Sequence, residues 1–222
     1  MQELFLAGSE TTSSTVEWAI AEALHNPQIM KKIQAELEEV LGKDGRVEER
    51  DIDRLPYLHA VVKETLRLHP PVPLLLPHRA ESSCEVAGYM IPKDTQVLVN
   101  AWAIGRDRTM WDEPTEFKPK RFMECDIEYR GQNFELIPFG AGRRICPGIP
   151  LAHRMVHVVI ASLLHYFDWS LPDGVTPENM DMSEKFGIAL QRASPLIAVP
   201  SPRLPAHLFN DHITSQITSP LF

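Results

Sequence analysis

The sequence predicts a mainly α-helical fold with small β-sheets. Apolar residues recur at helical spacing in three segments before residue 68 and in one after residue 150, as in helices that bury one face. Between residues 84 and 100 the apolar period shifts toward two, which is typical of short strands. The stretch 108–145 has few periodic signals and many turn formers, and irregular segments of this length in a compact chain are usually functional.

The first predicted helix covers residues 1–25 and contains a run of small and hydroxyl side chains from Gly8 to Thr15. Such residues cost helix stability, so the run needs an explanation other than helix propensity. Asn26 and Pro27 provide an N-cap and a first-turn proline for a second helix. Gly42 is expected to end that helix.

A charged loop at 43–54 precedes a third helix at 57–68. Pro70 and Pro71 stop this helix, because the residue before a proline avoids the helical region. Prolines continue to Pro77 and indicate a rigid, non-helical connection.

Beyond the prolines, strands are expected at 84–91 and 95–100, followed by a helical turn at 102–106. The irregular meander then leads into a strong helix at 150–166.

Two short strands near 188–190 and 196–199 close the expected domain, which covers residues 1–205. Residues 206–222 are expected to form a disordered tail.

The overall composition limits the function classes. The chain has 222 residues, of which 44% are hydrophobic and 23% charged, as in soluble packed domains. A net charge of -8 argues against nucleic-acid binding, which needs a basic surface. There is no run of about 20 apolar residues to span a membrane, and the N-terminus lacks the pattern of a signal peptide.

The cysteines favour one special thiol in a reducing compartment. No C-x-x-C pair occurs, so a zinc ribbon or a thioredoxin-like site is disfavoured, and an odd number of cysteines does not suggest a disulfide framework. The three cysteines are Cys84, Cys125 and Cys146.

The segment from Phe139 to Gly148 reads F-G-A-G-R-R-I-C-P-G and places Cys146 just before a predicted helix. A helix N-terminus stabilises a thiolate, which is the metal-binding form of cysteine. Glycines such as Gly140 let the backbone approach a flat ligand and direct N–H groups at the sulfur. Arg144 can pair with a carboxylate of that ligand. A haem offers iron, a flat face and two carboxylates, whereas a plain glycine turn beside a buried cysteine would not need the whole pattern.

Three further motifs occur elsewhere in the chain. Glu64 and Arg67 form an E-x-x-R pair on one face of the third helix, although alone such a pair is usually a weak surface ion pair. The other two are P-K-R-F at 119–122 and A-G-S-E-T-T at 7–12.

These motifs, in this order, resemble those of the cytochrome P-450 family over residues 1 to about 200. The cysteine segment matches the haem-binding signature F-x-x-G-x-R-x-C-x-G. The phrase from Val99 to Asp107 is similar to the plant microsomal branch, near the subgroup with geraniol hydroxylases and alkaloid oxidases. The resemblance implies the C-terminal half of that fold.

The resemblance implies a role for each motif. Cys146 would ligate the haem iron, Phe139 would pack by the sulfur with Gly140 and Gly148 close to the macrocycle, and Arg144 would meet a propionate. Arg79, and His78 before it, would bind a propionate as well.

On the first helix, Gly8 would leave room for dioxygen, while Glu10 and Thr11 would relay protons to it. Arg121 would join Glu64 and Arg67 in a structural network behind the cysteine segment. Lys120 stands where plant members often carry glutamate, which leaves the network itself intact. Substrate contacts would come from Ala7 and Thr11, from Leu74, Leu75 and Leu76, and from Ile188, Ala189 and Leu190.

The implied activity is a haem-thiolate monooxygenase that hydroxylates or oxidatively couples a small apolar metabolite, a terpenoid or an alkaloid. Electrons would come from NADPH through cytochrome P-450 reductase, which would dock on the cysteine side near Lys118, Lys120, Arg130 and Arg143. The full-length parent would sit on the cytosolic face of the endoplasmic reticulum through an N-terminal anchor that this chain lacks. The haem clamp of the family's N-terminal half is also absent here, so we expect this chain alone to bind haem poorly.

Four other readings stay open at this point. The chain could be a non-catalytic fragment or isoform of such an enzyme, or a member that rearranges peroxides, although members of that kind usually alter the acid–threonine pair. His153 and His157 are spaced like the ligands of a zinc hydrolase, but no glutamate stands between them. The prolines from Pro70 to Pro77 could serve as a polyproline ligand, but the apolar residues among them suggest burial.

Overall fold

Helices dominate the computed structural model, which describes residues 2–203. The helices are α1 (Gln2–His25), α2 (Pro27–Leu41), α3 (Pro56–Leu68), α4 (Ala101–Ile104) and α5 (Ile149–Tyr166). Short 3-10 helices cover Glu49–Arg54, Pro119–Phe122, Gly142–Arg144 and Pro177–Asn179. The mainly α-helical class is therefore confirmed, while the expected tail at 206–222 lies outside the described residues.

The strands are short and pair antiparallel in twos. In chain order they are β1 (His78–Arg79), β2 (Cys84–Val86), β3 (Tyr89–Ile91), β4 (Gln96–Val97), β5 (Phe167–Ser170), β6 (Glu184–Lys185), β7 (Gln191–Arg192) and β8 (Val199–Pro202). The pairs are β1 with β4, β2 with β3, β5 with β8 and β6 with β7. The sheets therefore shape the edges of a helical core and do not form a layer of their own.

The core lies where the C-terminal half of α1 packs between α2, α3 and α5. Trp18 is fully buried, and residues 18–24 are buried on every face of the helix, which fits a helix enclosed by its neighbours. Other fully buried core side chains are Ile33, Leu37, Leu58, Val61, Ile160 and Leu164. The N-terminal half of α1 differs, because Phe5 is 81% exposed and residues 7–10 are exposed.

Several local expectations are wrong. The expected strand 84–91 is a hairpin, because Ala87 and Gly88 adopt positive φ angles of 51° and 82° and make a tight turn. The expected strand at 188–190 lies instead at β7, and the one at 196–199 is shifted to β8.

The helix boundaries also hold two surprises. Asn26 precedes α2 as expected, but its side chain makes no cap and donates 3.0 Å to the carbonyl of Glu22. The charged loop 43–54 contains the 3-10 helix Glu49–Arg54, begun by a capping box of Glu48 and Asp51. In both cases a local hydrogen bond, invisible to apolar periodicity, sets the structure.

Candidate functional site

Cys146 lies in a turn three residues before α5, with its thiol free and exposed. Its backbone N–H donates a 2.9 Å hydrogen bond to the carbonyl of Phe139, which closes the loop on itself. Phe139 is half-buried and packs against Tyr129, with 5.4 Å between ring centroids. The Cys146 sulfur is therefore exposed to solvent, while the backbone of the loop is held in place by this hydrogen bond and by the packing of Phe139.

Glycines make this loop geometry attainable. Gly140 and Gly142 adopt positive φ angles of 75° and 67°, which side chains other than glycine rarely adopt. A Cβ on Gly148 would lie 3.5 Å from the sulfur of Cys146. Gly131, which the sequence did not single out, packs closely against this loop. A Cβ at Gly131 would lie 2.7 Å from the Ile145 side chain, so the loop leaves no room for a side chain there.

The arginines predicted to hold carboxylates are accessible. Arg143 and Arg144 are exposed beside Cys146. Arg79 and His78 are exposed on β1, and the Arg79 side chain makes a loose 3.5 Å ion pair with Asp94. An exposed pair of this kind contributes little to stability, so Arg79 can exchange Asp94 for another anion.

The structure brings Glu64, Arg67 and Arg121 together. The two side chains on α3 are fully buried and joined by hydrogen bonds of 2.7 and 2.9 Å. Arg121 donates 3.1 Å to the same carboxylate, and the backbone N–H of Lys118 donates 2.6 Å to it. Every oxygen of this buried carboxylate is thus hydrogen-bonded, which a buried charge requires.

Arg67 uses its remaining N–H groups to hold the meander. They donate to the carbonyl oxygens of Gly105, Pro114 (2.7 Å) and Glu116 (3.1 Å). The Trp111 ring lies 5.4 Å below the guanidinium. The network therefore fastens the segment that leads to the cysteine loop onto α3.

On α1, the hydroxyl side chains bond back to the helix itself. Thr11 donates 2.7 Å to the carbonyl of Ala7, and Thr12 donates 2.7 Å to that of Gly8. Glu10 is exposed and accepts a 2.8 Å hydrogen bond from the Gln191 amide. Bonds to the carbonyl four residues back let hydroxyls sit inside a helix, so the polar run does not break α1.

An apolar cleft of about 780 Å³ separates the N-terminal half of α1 from α5. Gly8 and Thr12 line it on α1, and Leu151 and Met155 line it on α5. Cys146, Ala7 and Thr11 are not among its lining residues.

The predicted substrate residues differ in their exposure. Leu74 and Leu76 are 41% and 68% exposed, and Ile188 is 86% exposed. Leu75 is half-buried, and its side chain lies 3.7 Å from the position of a Cβ on Gly140 of the cysteine loop. Ala189 is half-buried, whereas Leu190 is fully buried, and its backbone N–H donates 2.9 Å to the carbonyl of Pro71.

A second buried network, centred on His69, escaped the sequence reasoning. Its ring lies between the carboxylates of Glu22 and Glu184, each at 2.8 Å, and stacks on Trp18 at 3.7 Å. Burial alone would raise the pKa of Glu184, but hydrogen bonds from His69 and the charge of Arg106 lower it overall. The signal in the sequence is a histidine directly between the end of α3 and the prolines.

Comparisons with known proteins agree with this architecture. Residues 1–198 match the family described as Cytochrome P450. The chain is 61% identical over 200 residues to geraniol 8-hydroxylase of Swertia mussotii, covering 90% of this chain and 40% of that protein. It is 53% identical over 204 residues to iridoid oxidase of Catharanthus roseus, covering 92% of this chain and 40% of that protein.

A solved structure gives the same result in three dimensions. A zebrafish cytochrome P450 with abiraterone superposes with a TM-score of 0.81 and 38% identity, over 90% of this chain and 46% of that one. The chain belongs to the cytochrome P450 family. It spans about 40% of the length of the curated relatives that it matches, and no helix among residues 2–203 is long and apolar enough to cross a membrane.

The cysteine loop fits the haem that this family implies. It offers a free thiol three residues before a helix N-terminus, and it keeps the space beside the sulfur free of side chain at Gly148. Arg144 and Arg79 offer accessible cations for carboxylates. A cysteine thiolate is one of the ligands that hold haem iron in proteins, and guanidinium groups pair with carboxylates such as those of haem.

Proposed function

We propose that this chain belongs to a haem-thiolate monooxygenase that hydroxylates a small apolar terpenoid. The observation that carries the proposal is the exposed thiol of Cys146 before α5, in a chain of the cytochrome P450 family. In the overall reaction, dioxygen, two electrons from NADPH and two protons (one from NADPH and one from solvent) convert a C–H bond into C–OH, and the second oxygen atom leaves as water.

Cys146 is the residue that would hold the haem iron. A cysteine-ligated haem supplies oxygen activation, since the thiolate pushes electron density toward O–O cleavage. Phe139 packs beside the loop, while Gly140 and Gly148 keep it clear of side chain. Arg144 would hold one propionate, and Arg79 with His78 would hold the carboxylate on the β1 side.

Glu10 and Thr11 are the proposed proton-handling pair. The Glu10 carboxylate is exposed and held by Gln191, so it can exchange protons with solvent. The Thr11 hydroxyl lies one residue further along α1 and donates to the carbonyl of Ala7. An acid and a hydroxyl in series can pass a proton inward, and Gly8 leaves open space beside them.

The proposed substrate surface is apolar. Leu74, Leu76 and Ile188 are exposed, and apolar side chains favour a hydrocarbon substrate over a charged one. Ala7, Leu75, Ala189 and Leu190 complete the assigned set. The names of two relatives, geraniol 8-hydroxylase and iridoid oxidase, favour a monoterpenoid over an alkaloid.

The proposed electron donor is cytochrome P450 reductase, fed by NADPH. Lys120, Arg130 and Arg143 are exposed and offer positive charge to an acidic partner, whereas Lys118 is already paired with Glu113. The proposed location is the cytosolic face of the endoplasmic reticulum membrane.

The test is product analysis with a protein of the relatives' full length that carries this chain. This full-length protein is reconstituted with reductase, NADPH and geraniol, and the products are identified by gas chromatography with mass spectrometry. We expect a product that has gained one oxygen atom, and we expect its rate to fall about 10- to 100-fold in Thr11→Ala if proton transfer is lost. The matched control is Ser13→Ala, which removes a hydroxyl two residues away on α1.

Two outcomes contradict the proposal. Equal rates for Thr11→Ala and the parent would remove Thr11 from the chemistry. A protein with an intact haem spectrum that oxygenates neither geraniol nor related monoterpenoids would remove the assigned substrate class.

A further inference from the structure

We propose that His59, His153 and His157 form a binding site for a divalent transition-metal ion, with Zn²⁺ as the probe. His59 lies in α3, and the other two lie one turn apart in α5. One ring nitrogen from each lies within 4.8 Å of the other two. The ring centroids of His157 lie 4.4 Å from His59 and 4.5 Å from His153.

One nitrogen of each ring already has a hydrogen-bond partner in the protein. Nε2 of His59 lies 3.1 Å from the carbonyl of Ile52, and Nδ1 of His157 lies 2.5 Å from the carbonyl of His153. Nδ1 of His153 lies 2.6 Å from the hydroxyl of Tyr129. Metal-bound imidazoles almost always use their second nitrogen in this way, which fixes the ring for coordination.

His157 supplies an independent observation. Its side chain is fully buried, yet Nε2 has no hydrogen-bond partner among the described residues. Buried polar atoms are normally satisfied, and an exception calls for an explanation such as an ion. A metal ion bound to Nε2 would satisfy this nitrogen where the fold itself does not.

Charged side chains around the cluster act on a bound cation in both directions. Lys63, Arg130 and Arg154 oppose it, while Asp53 and Glu128 favour it.

The donor set favours a borderline metal. Imidazole suits zinc, copper and nickel more than magnesium or calcium. A tetrahedral zinc ion with Zn–N bonds of about 2.0–2.1 Å holds nitrogens about 3.3 Å apart, so the rings close by at most about 1.5 Å. Arg154, Met155 and Val156 separate the two histidines of α5, and with no carboxylate there to act as a base, the site is one for binding and not for hydrolysis.

A bound ion would link three parts of the fold. It would join the first half of α3 to α5, and through His153 it would reach Tyr129, which packs on Phe139 of the cysteine loop. This inference does not depend on the proposed monooxygenase function.

The test is metal binding by the purified full chain after treatment with a chelator. Zn²⁺ is titrated in competition with a chromogenic zinc indicator, and Co²⁺ reports the coordination geometry by its visible absorption. We expect one equivalent of Zn²⁺ per chain and a tetrahedral Co²⁺ spectrum. His59→Gln and His157→Gln should each lower the zinc affinity by at least about 10-fold. Tyr129→Phe should lower it by about 10-fold, because the variant loses the hydrogen bond that orients the His153 ring.

Two control variants test whether zinc binds to side chains outside the cluster. His25→Gln removes a histidine outside the cluster, and Cys146→Ser removes the exposed thiol; zinc affinity should be unchanged in both. Circular dichroism checks the fold, and if the buried His157→Gln variant unfolds, the half-buried His59→Gln carries the test. Unchanged affinity in the folded cluster variants, or a loss of affinity in Cys146→Ser, overturns the proposal.

Discussion

Glu64 and Arg67 lie one helical turn apart on α3, fully buried, and share two hydrogen bonds of 2.7 and 2.9 Å. Glu64 also accepts a hydrogen bond from Arg121, and Arg67 also donates to three backbone carbonyls between residues 105 and 116. A pair that would be worth little on the surface thereby fixes the chain between Gly105 and Arg121 against α3.

Glu64→Ala should lower the free energy of unfolding by about 3–5 kcal/mol, because it leaves two guanidinium groups without their carboxylate. Urea unfolding followed by circular dichroism measures the change. The matched control is Arg154→Ala, which breaks the exposed 2.8 Å pair with Glu49 and should cost less than about 1 kcal/mol. Equal effects of the two variants would show that the buried network does not support the fold.

Two glycine-to-alanine changes should have opposite effects on stability. A Cβ on Gly105 would lie 2.3 Å from the Arg67 carbonyl oxygen, and we expect a loss of about 1–3 kcal/mol from the forced shift. A Cβ on Gly8 would meet nothing within 4 Å, so Gly8→Ala should gain about 0.5–1 kcal/mol from helix propensity.

If Gly8 makes room for dioxygen, the stabilised Gly8→Ala variant should also lose monooxygenase activity in a full-length protein. Thermal denaturation and product formation measured on the same sample test both parts. A variant that is less stable than the parent, or equally active, would contradict this role of Gly8.

Stability should fall in acid partly because of His165. Its side chain is 3% exposed, its Nε2 lies 2.9 Å from the Gly45 carbonyl, and burial lowers its pKa below 6.5. The unfolded state therefore binds a proton that the folded state does not. The contribution of His165 to the free energy of unfolding is complete above about pH 6.5. It is lost as the pH falls below this value, with a slope of at most about 1.4 kcal/mol per pH unit.

His165→Gln keeps a donor for Gly45 but removes one titrating ring, so its stability should fall less steeply than the parent's between about pH 7 and pH 5. His78→Gln replaces an exposed histidine on β1 and is the control for the loss of a histidine. Measurements in the presence of a chelator keep metal ions out of the comparison. A parent and a His165→Gln variant with parallel curves would contradict the assignment.

The helices can be predicted from the sequence because the spacing of apolar residues and the residues at the helix ends are local signals. In α2, Pro27 marks the first turn and Gly42 marks the end. The turn at Ala87 and Gly88 cannot be predicted in this way, because Ala87 adopts a positive φ of 51°, a conformation that alanine disfavours. The placement of His69 between Glu22 and Glu184 depends on contacts over 47 and 115 residues, which no local pattern encodes.

The candidate site shows the same division. The loop that carries Cys146 and the partners Glu64 and Arg67 could be predicted because they form short patterns with a chemical reason. The cluster of His59 with His153 and His157 could not, because it forms only when α3 and α5 pack together.

The chain by itself should bind haem weakly. Phe5, Leu76 and Ile188 are 81%, 68% and 86% exposed, so apolar side chains on the side of the fold proposed to hold the cofactor lie open to water. Haem titration followed by a carbon monoxide difference spectrum should give at most a weak, unstable thiolate band. A strong and lasting band from this chain alone would contradict the prediction.

The measurement that tests the central claim most directly is the reduced carbon monoxide spectrum of a full-length protein carrying this chain, compared with its Cys146→Ser and Cys84→Ser variants. Both cysteines are free and exposed, but only Cys146 lies at the N-terminus of α5. We predict that Cys84→Ser keeps the band of a thiolate-ligated haem and that Cys146→Ser loses it. A thiolate band that persists in Cys146→Ser would show that another residue holds the iron.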